Sequence, residues 1–141
     1  MTQVIPNICP CCQHEHSGLI SCETHKRIFV EQAKSGAELI AAERKRQIEQ
    51  EGWKPEDDDK KHPAGQLARA AENYVRFAAE PDIARDYQRK NGHTPGGWPW
   101  HWSWWKPSEG NLATDRIRDL VKAGALIAAE IDRLQRGEAK K

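Results

Sequence analysis

The sequence predicts a mainly α-helical protein, a small helical bundle with an N-terminal zinc knuckle and a long tryptophan-rich loop. Three observations predict it. Apolar residues from position 38 onward recur at helical spacing, with no strand-like alternation. All four cysteines and three of the six histidines crowd into residues 1–25. Five of the six tryptophans fall between Trp98 and Trp105. The predicted organisation is a zinc-knuckle module over residues 1–30 and a helical domain over 31–141.

The N-terminal segment lacks periodicity and reads as turns around a metal. Cys9-x2-Cys12 and Cys22-x2-His25 are separated by nine residues. Each pair forms a tight knuckle that presents two ligands on one side, and two facing knuckles satisfy tetrahedral zinc. Cys11, His14 and His16 are substitute ligands on the same spacing argument. The alternative is a set of free thiols on a flexible arm. A redox CxxC is disfavoured because no strand–helix context surrounds it. With four protein ligands the zinc is structural, because the coordination sphere is closed. No basic-then-apolar leader opens the chain, so a reducing, cytoplasmic setting is expected, where clustered cysteines serve metals better than disulfides.

Residues 26–51 read as helix, rich in Ala, Glu, Lys, Arg and Gln. Ser35-Gly36 is expected to break it, with Ser35 as a cap, and Gly52 to end it. Residues 53–63 read as a polar loop. A second helix is expected over 64–80, where Leu67, Ala70, Ala71, Tyr74, Val75 and Ala78 share one face. Pro81 stops it, and a short polar helix over 82–90 follows. Residues 91–111 form the long loop, with Trp98 and Trp105 expected inside and the other rings nearer the surface. The last helix, over 114–136, is expected to be capped by Thr114. Its stripe of Ile117, Leu120, Val121, Gly124, Ile127, Ile131 and Leu134 is expected to face the core.

Charge sets limits on partners. Lys and Arg number 22 against 21 Asp and Glu, a formal net charge of +1, so no strong field draws the chain to nucleic acid or an anionic membrane. The longest apolar run, Ala123–Ala129, is far short of the roughly 20 residues a membrane span needs. Self-association is left open.

Two sets of residues are candidate binding groups. Trp100, Trp102 and Trp104 offer exposed rings of the kind that stack on bases or anchor protein interfaces. Asp58, Asp59 and His62 form a compact polar set that could hold a metal or orient a phosphate-bound ion, or simply cap a helix. Asp119 is the acid closest to the core boundary and the best single candidate for a magnesium ligand among the helix-borne carboxylates. No residue is assigned a catalytic role.

Several motifs in order resemble a family of small phage and prophage proteins. They are ERKRQIEQEGW (Glu43–Trp53), PEDDD (Pro55–Asp59), His62 with Gly65 and Leu67, WPW (Trp98–Trp100), WWKP (Trp104–Pro107) and DLVKAGALIAAEIDRL (Asp119–Leu134). The resemblance covers residues 38–136, with the cysteine segment outside it as an added module. It implies a phage or prophage source, and the expected function is that of an accessory protein in the host cytoplasm that binds a host factor or a nucleotide, with inhibition of host defence as one form of it. That family is in turn weakly similar to MazG-like all-α nucleotide pyrophosphohydrolases, which hold magnesium through an ExxE on one helix and an ExxD on a later one. The similarity implies the alternative, a magnesium-dependent nucleoside triphosphate pyrophosphohydrolase with Asp119 as a ligand. Gln66 and Arg116 stand where that motif requires glutamate. A nucleic-acid-binding zinc module is the third reading, disfavoured by the near-neutral charge.

Overall fold

The computed structural model of the chain describes residues 34–92 and 94–141. Within them lie helices α1 (Gly36–Gln50), α2 (Pro55–Lys61), α3 (Gln66–Ala79), α4 (Asp82–Asn91) and α5 (Ala113–Ala139), with a 3₁₀ turn at Trp102–Trp104. No strand occurs among the described residues, and no helix there is long and apolar enough to cross a membrane. The proposed ligands Cys9, Cys12, Cys22 and His25 lie outside the described residues.

Helix α5 is the axis of the domain. It packs most extensively against α3 and also against α1 and α2. The core between α3 and α5 is built from small residues: Ala70 and Ala71 meet Ala123 and Ala129, with Leu67, Tyr74 and Leu126 filling the remaining space. Alanine against alanine lets two helices approach closely, because interaxial distance follows side-chain size. Trp53, Trp98, Trp100 and Trp105 then pack on this core from the side.

That arrangement overturns the expected orientation of α5. Its buried residues are Asp119, Ala123, Ala125, Leu126 and Ala129. Ile117, Leu120, Ile127, Ile131 and Leu134, the expected core stripe, are exposed, Ile127 by 45%. Large aliphatics would hold α3 and α5 apart. The alanine face wins the core position, and the aliphatic face turns outward. On α3, Val75 is likewise exposed, while Phe77 and Asn73 are buried.

Other elements follow local chemistry. Gly52 adopts φ 70°, and the Trp53 N–H closes the end of α1 onto the Gln47 carbonyl at 3.1 Å. Residues 55–61 are a helix, not the expected loop. Pro55 sits at its first position, Glu56, Asp57 and Asp58 occupy its first turn, and Lys60 and Lys61 its last. This charge order complements the helix dipole at both ends. Arg136 reaches back from α5 to Asp59 at 3.0 Å and to the Pro55 carbonyl at 3.1 Å, fastening α2 to the distal end of α5. The cap of α5 is the Asp115 carboxylate, which accepts from the Leu112 N–H at 3.1 Å, while Thr114 is exposed.

Between α4, the loop and α5 lies a buried ion pair. Arg85 and Asp119 are both 0% exposed and 3.2 Å apart. The Asp119 Oδ1 accepts from the Ser108 backbone N–H at 2.8 Å, and Oδ2 accepts from the Ser108 hydroxyl at 2.6 Å. Arg85 also donates to the Phe77 and Gly110 carbonyls and to the Asn111 side chain, and its guanidinium lies 4.2 Å from the Phe77 ring centroid. Removing one partner leaves the other as an uncompensated buried charge, a loss of about 3–5 kcal/mol. Asp119→Ala is therefore expected to lower unfolding free energy by about that amount in urea titration, with the loop after Trp105 becoming protease-sensitive. Unchanged stability would show that the pair does not hold the loop.

Candidate binding cleft

The loop between α4 and α5 and the α1–α2 junction together form an aromatic-walled cleft. Trp53, placed by Gly52 at the end of α1, is its central ring. It meets Trp100 edge-on at 6.3 Å and 79°, and Trp104 at 6.1 Å and 69°. Trp100 donates its indole N–H to His62 Nδ1 at 3.3 Å, with the two rings 5.0 Å apart. Behind them Trp98 packs on Tyr74, Trp100 and Trp105 with centroids 5.9, 5.4 and 5.0 Å away. Trp98 spends its own N–H on the His101 carbonyl at 3.1 Å. The half-buried rings are thus held by contacts within the protein, leaving their outer edges facing the cleft.

The cleft has two hollows, of about 450 and 240 Å³. Glu51, Trp53, Trp100 and Trp104 line both. The larger hollow adds Asp57, Asp58, Lys61, His62 and His101, so with Glu51 three carboxylates stand against one lysine and two imidazoles there. The smaller adds Glu43 with Arg46, Lys106 and Lys122, and is richer in cations.

Electrostatics at the walls follow burial. Asp58, nearly enclosed, pairs with Arg44 at 3.1 Å, yet burial outweighs the guanidinium and holds its carboxyl above the usual value of 3.8. His62 is held below 6.5, because burial of the imidazole outweighs the nearby Asp58 charge. A neutral ring with Nδ1 as acceptor is what the Trp100 hydrogen bond requires. Burial also pushes the Tyr74 phenol up to about 12 and the Lys122 ammonium down. Burial alone would raise Glu43, but hydrogen bonds from Arg46 and Gln47 hold it low.

Of the residues singled out from sequence, Trp100, Trp104, Asp58 and His62 come together here. Three do not. Trp102, 68% exposed, lines a separate hollow with Phe77, Arg89 and Trp105. Asp59 is engaged by Arg136 and Lys140 on the α5 side. Asp119 is sealed inside with both oxygens accepting protein hydrogen bonds, so it presents none to a ligand. Trp100 is half-buried, joining Trp98 and Trp105 against the core. Sequence reasoning missed Trp53, whose signal was its place directly after the helix-ending Gly52. It also missed Lys106 and Lys122, joined when the Lys122 ammonium donates to the Lys106 carbonyl at 2.6 Å.

Among the described residues no group of three or more His, Cys, Asp or Glu side chains is placed to hold a metal ion. Comparison with protein-family models, curated proteins and solved structures returns no match.

The His62 shift has a consequence for pH. As pH falls through about 6.5, the unfolded chain takes up a proton that folded His62 refuses, so stability is lost between 6.5 and the lower folded value. Asp58 acts oppositely, nearer 3.8, because there the folded chain takes the proton first. The melting temperature is therefore expected to be lower at about pH 5.5 than at about pH 7.5. His62→Gln should shrink that difference. An equal pH dependence in wild type and variant would remove His62 as its source.

Proposed function

We propose that this chain is an accessory binding protein of the phage kind, and that the tryptophan-walled cleft is where it engages a host factor or a nucleotide. One observation carries the reading: Trp53, Trp100 and Trp104 wall an open hollow of about 450 Å³ while their packing is already satisfied by the protein. Binding sites combine this kind of apolar, preformed wall with a few polar groups that orient the ligand. Here the orienting groups are Glu51, Asp57, Lys61 and His62 in one hollow, and Lys106 and Lys122 in the other. A flat or cationic group suits the rings, and an anionic tail suits the lysines.

The alternative, magnesium-dependent hydrolysis of nucleoside triphosphates, has less support. It needs carboxylates converging on an open metal position. The two positions where the motif departs are committed elsewhere. Arg116 donates to the Ala78 and Glu80 carbonyls at 2.6 and 2.7 Å, capping α3. The Gln66 side chain accepts from the Ala64 N–H at 2.7 Å, at the start of the same helix.

Trp104 is the ring to remove, because it is 51% exposed and adds little to the core. Affinity purification from host lysate with the full chain should recover a partner, or titration with nucleotides should quench tryptophan fluorescence. Trp104→Ala should weaken that binding by about thirtyfold, the scale of an interface hot spot, with circular dichroism unchanged. Full retention of binding in this variant would remove the cleft from the interaction. Magnesium-dependent triphosphate hydrolysis by the purified chain would favour the enzyme.

A structural zinc on Cys9, Cys12, Cys22 and His25 belongs to the same reading, on sequence spacing. Metal analysis after chelator-free purification is expected to find about one zinc per chain. A zinc-free chain would exclude it.

A further inference from the structure

The larger hollow of the cleft has a shape and a charge that together define the group it fits. Its shape comes from the tryptophans. The Trp53 plane stands at 79° to Trp100 and at 69° to Trp104, with centroids 6.3 and 6.1 Å apart. Parallel rings sandwich a flat group. Rings set close to right angles do not, because a plane that stacks on one of them meets the other edge-on. Such walls fit a compact, rounded group that touches both at once. The hollow is open, with about 450 Å³ for that group and the stem that carries it.

Its charge comes from the polar lining. Glu51 pairs with Arg46 at 3.0 Å, and Asp58 pairs with Arg44 at 3.1 Å. Neither arginine lines this hollow, so both pairs present their negative ends to it and keep the guanidinium outside. Asp57 adds a third carboxylate, with Lys61 3.5 Å away as the one lysine of the lining. His62 brings no charge, because its Nδ1 accepts the Trp100 indole N–H, which a protonated ring cannot do. A cation is therefore favoured twice, by the ring quadrupoles and by the field of the carboxylates. The chain already uses one of these rings in this way. Lys106, which lines only the smaller hollow, holds its ammonium 5.7 Å from the Trp104 centroid.

We propose that the larger hollow binds an alkylated ammonium group, either the head of a quaternary ammonium compound or the methylated lysine side chain of a partner protein. The proposal rests on the cleft being the binding site and names the group that enters it. A metal ion or a bare ammonium holds its water tightly, and carboxylates already committed to arginines are poor chelators. N-methyl groups shed water readily and spread the charge over a rounded apolar surface, which is what aromatic walls at right angles accommodate.

Isothermal titration of the full chain tests this, with choline and a trimethyl-lysine peptide as probes. The control is the neutral isostere of choline, in which a quaternary carbon replaces the nitrogen. Choline should bind saturably and about tenfold more tightly than the isostere, which fills the same space without charge. Trp104→Ala should weaken choline binding about tenfold. Asp57→Asn, which keeps the shape and removes one charge, should weaken it about threefold and decides the matter if the tryptophan variant unfolds. Trp102→Ala, in the separate hollow, should leave it unchanged. The tighter of the two cations identifies the source as a small molecule or a modified protein. Absence of binding by both cations overturns the proposal, as does equal binding of the isostere. Adenosine diphosphate binding more tightly than either cation overturns it too. If no cation binds but partner capture still falls with Trp104→Ala, the cleft remains the binding site and only this ligand class is lost.

Discussion

Arg85 and Asp119 put opposite charges where no water reaches, and much else in the domain is arranged around keeping them paired. A buried guanidinium has five N–H donors to satisfy. Here they go to the Asp119 carboxylate, the Ser108 hydroxyl, the Asn111 amide oxygen and the carbonyls of Phe77 and Gly110. These acceptors come from α3, the long loop and α5. Such a pair adds little net stability over an apolar replacement, but it punishes any arrangement that separates its members. It therefore acts as a register pin, fixing where residues 108–111 cross the end of the bundle. Arg89 reinforces the same stretch through the Ser108 and Gly110 carbonyls.

Pinning the loop at Ser108 determines where its tryptophans fall. The chain runs back from Ser108 to Trp105, which packs on Tyr74 at 4.7 Å and Phe77 at 5.7 Å, and then to Trp98 and Trp100. The Tyr74 hydroxyl accepts from the Lys106 N–H at 3.2 Å, fixing the loop a second time. Each large ring supplies apolar area that an alanine-rich interior cannot, since a tryptophan buries about 150–250 Å² when fully enclosed. The rings thus complete the small core with one edge and wall the cleft with another. Core packing and cleft geometry are the same set of contacts, which is why a lean chain can afford so aromatic a loop.

The long helices are legible in the sequence, while the short α2 and the orientation of α5 are not. The segments around α3, α4 and α5 carry apolar spacing or strong helix formers, and Gly52 and Pro81 end helices as glycine and proline do. The face of α5 could not be read that way. Hydrophobicity ranks Ile127 above Ala123, but the space between α3 and α5 selects for small volume, and Ala70 and Ala71 on the facing helix were the clue. Helix α2 has no apolar stripe to detect, and its order of Pro, acids and lysines carries the signal instead. For the cleft, residue type alone points to Trp100, Trp104, Asp58 and His62, whereas Trp53 gives no such signal because its partners lie about fifty residues away in sequence. The apolar neighbours Leu120 and Val121 mark Asp119 as close to the core. Its partner Arg85 sits on a helix too polar to suggest a buried face.

The three sides of α5 explain why so small a domain contains a helix of 27 residues. One side carries Ala123 and Ala129 against α3, with Asp119 in the polar pin and Leu126 reaching the cleft. Another, around Ala128, borders the groove with α1. The third is aliphatic and unburied by the described residues. Burying the third side within the chain would take a further apolar helix face. Among the described helices the inward faces are taken by other groups: α1 turns Arg44 and Gln47 inward, α4 turns Arg85 inward, and α2 is polar throughout. The apolar surplus of α5 therefore has no outlet among these helices.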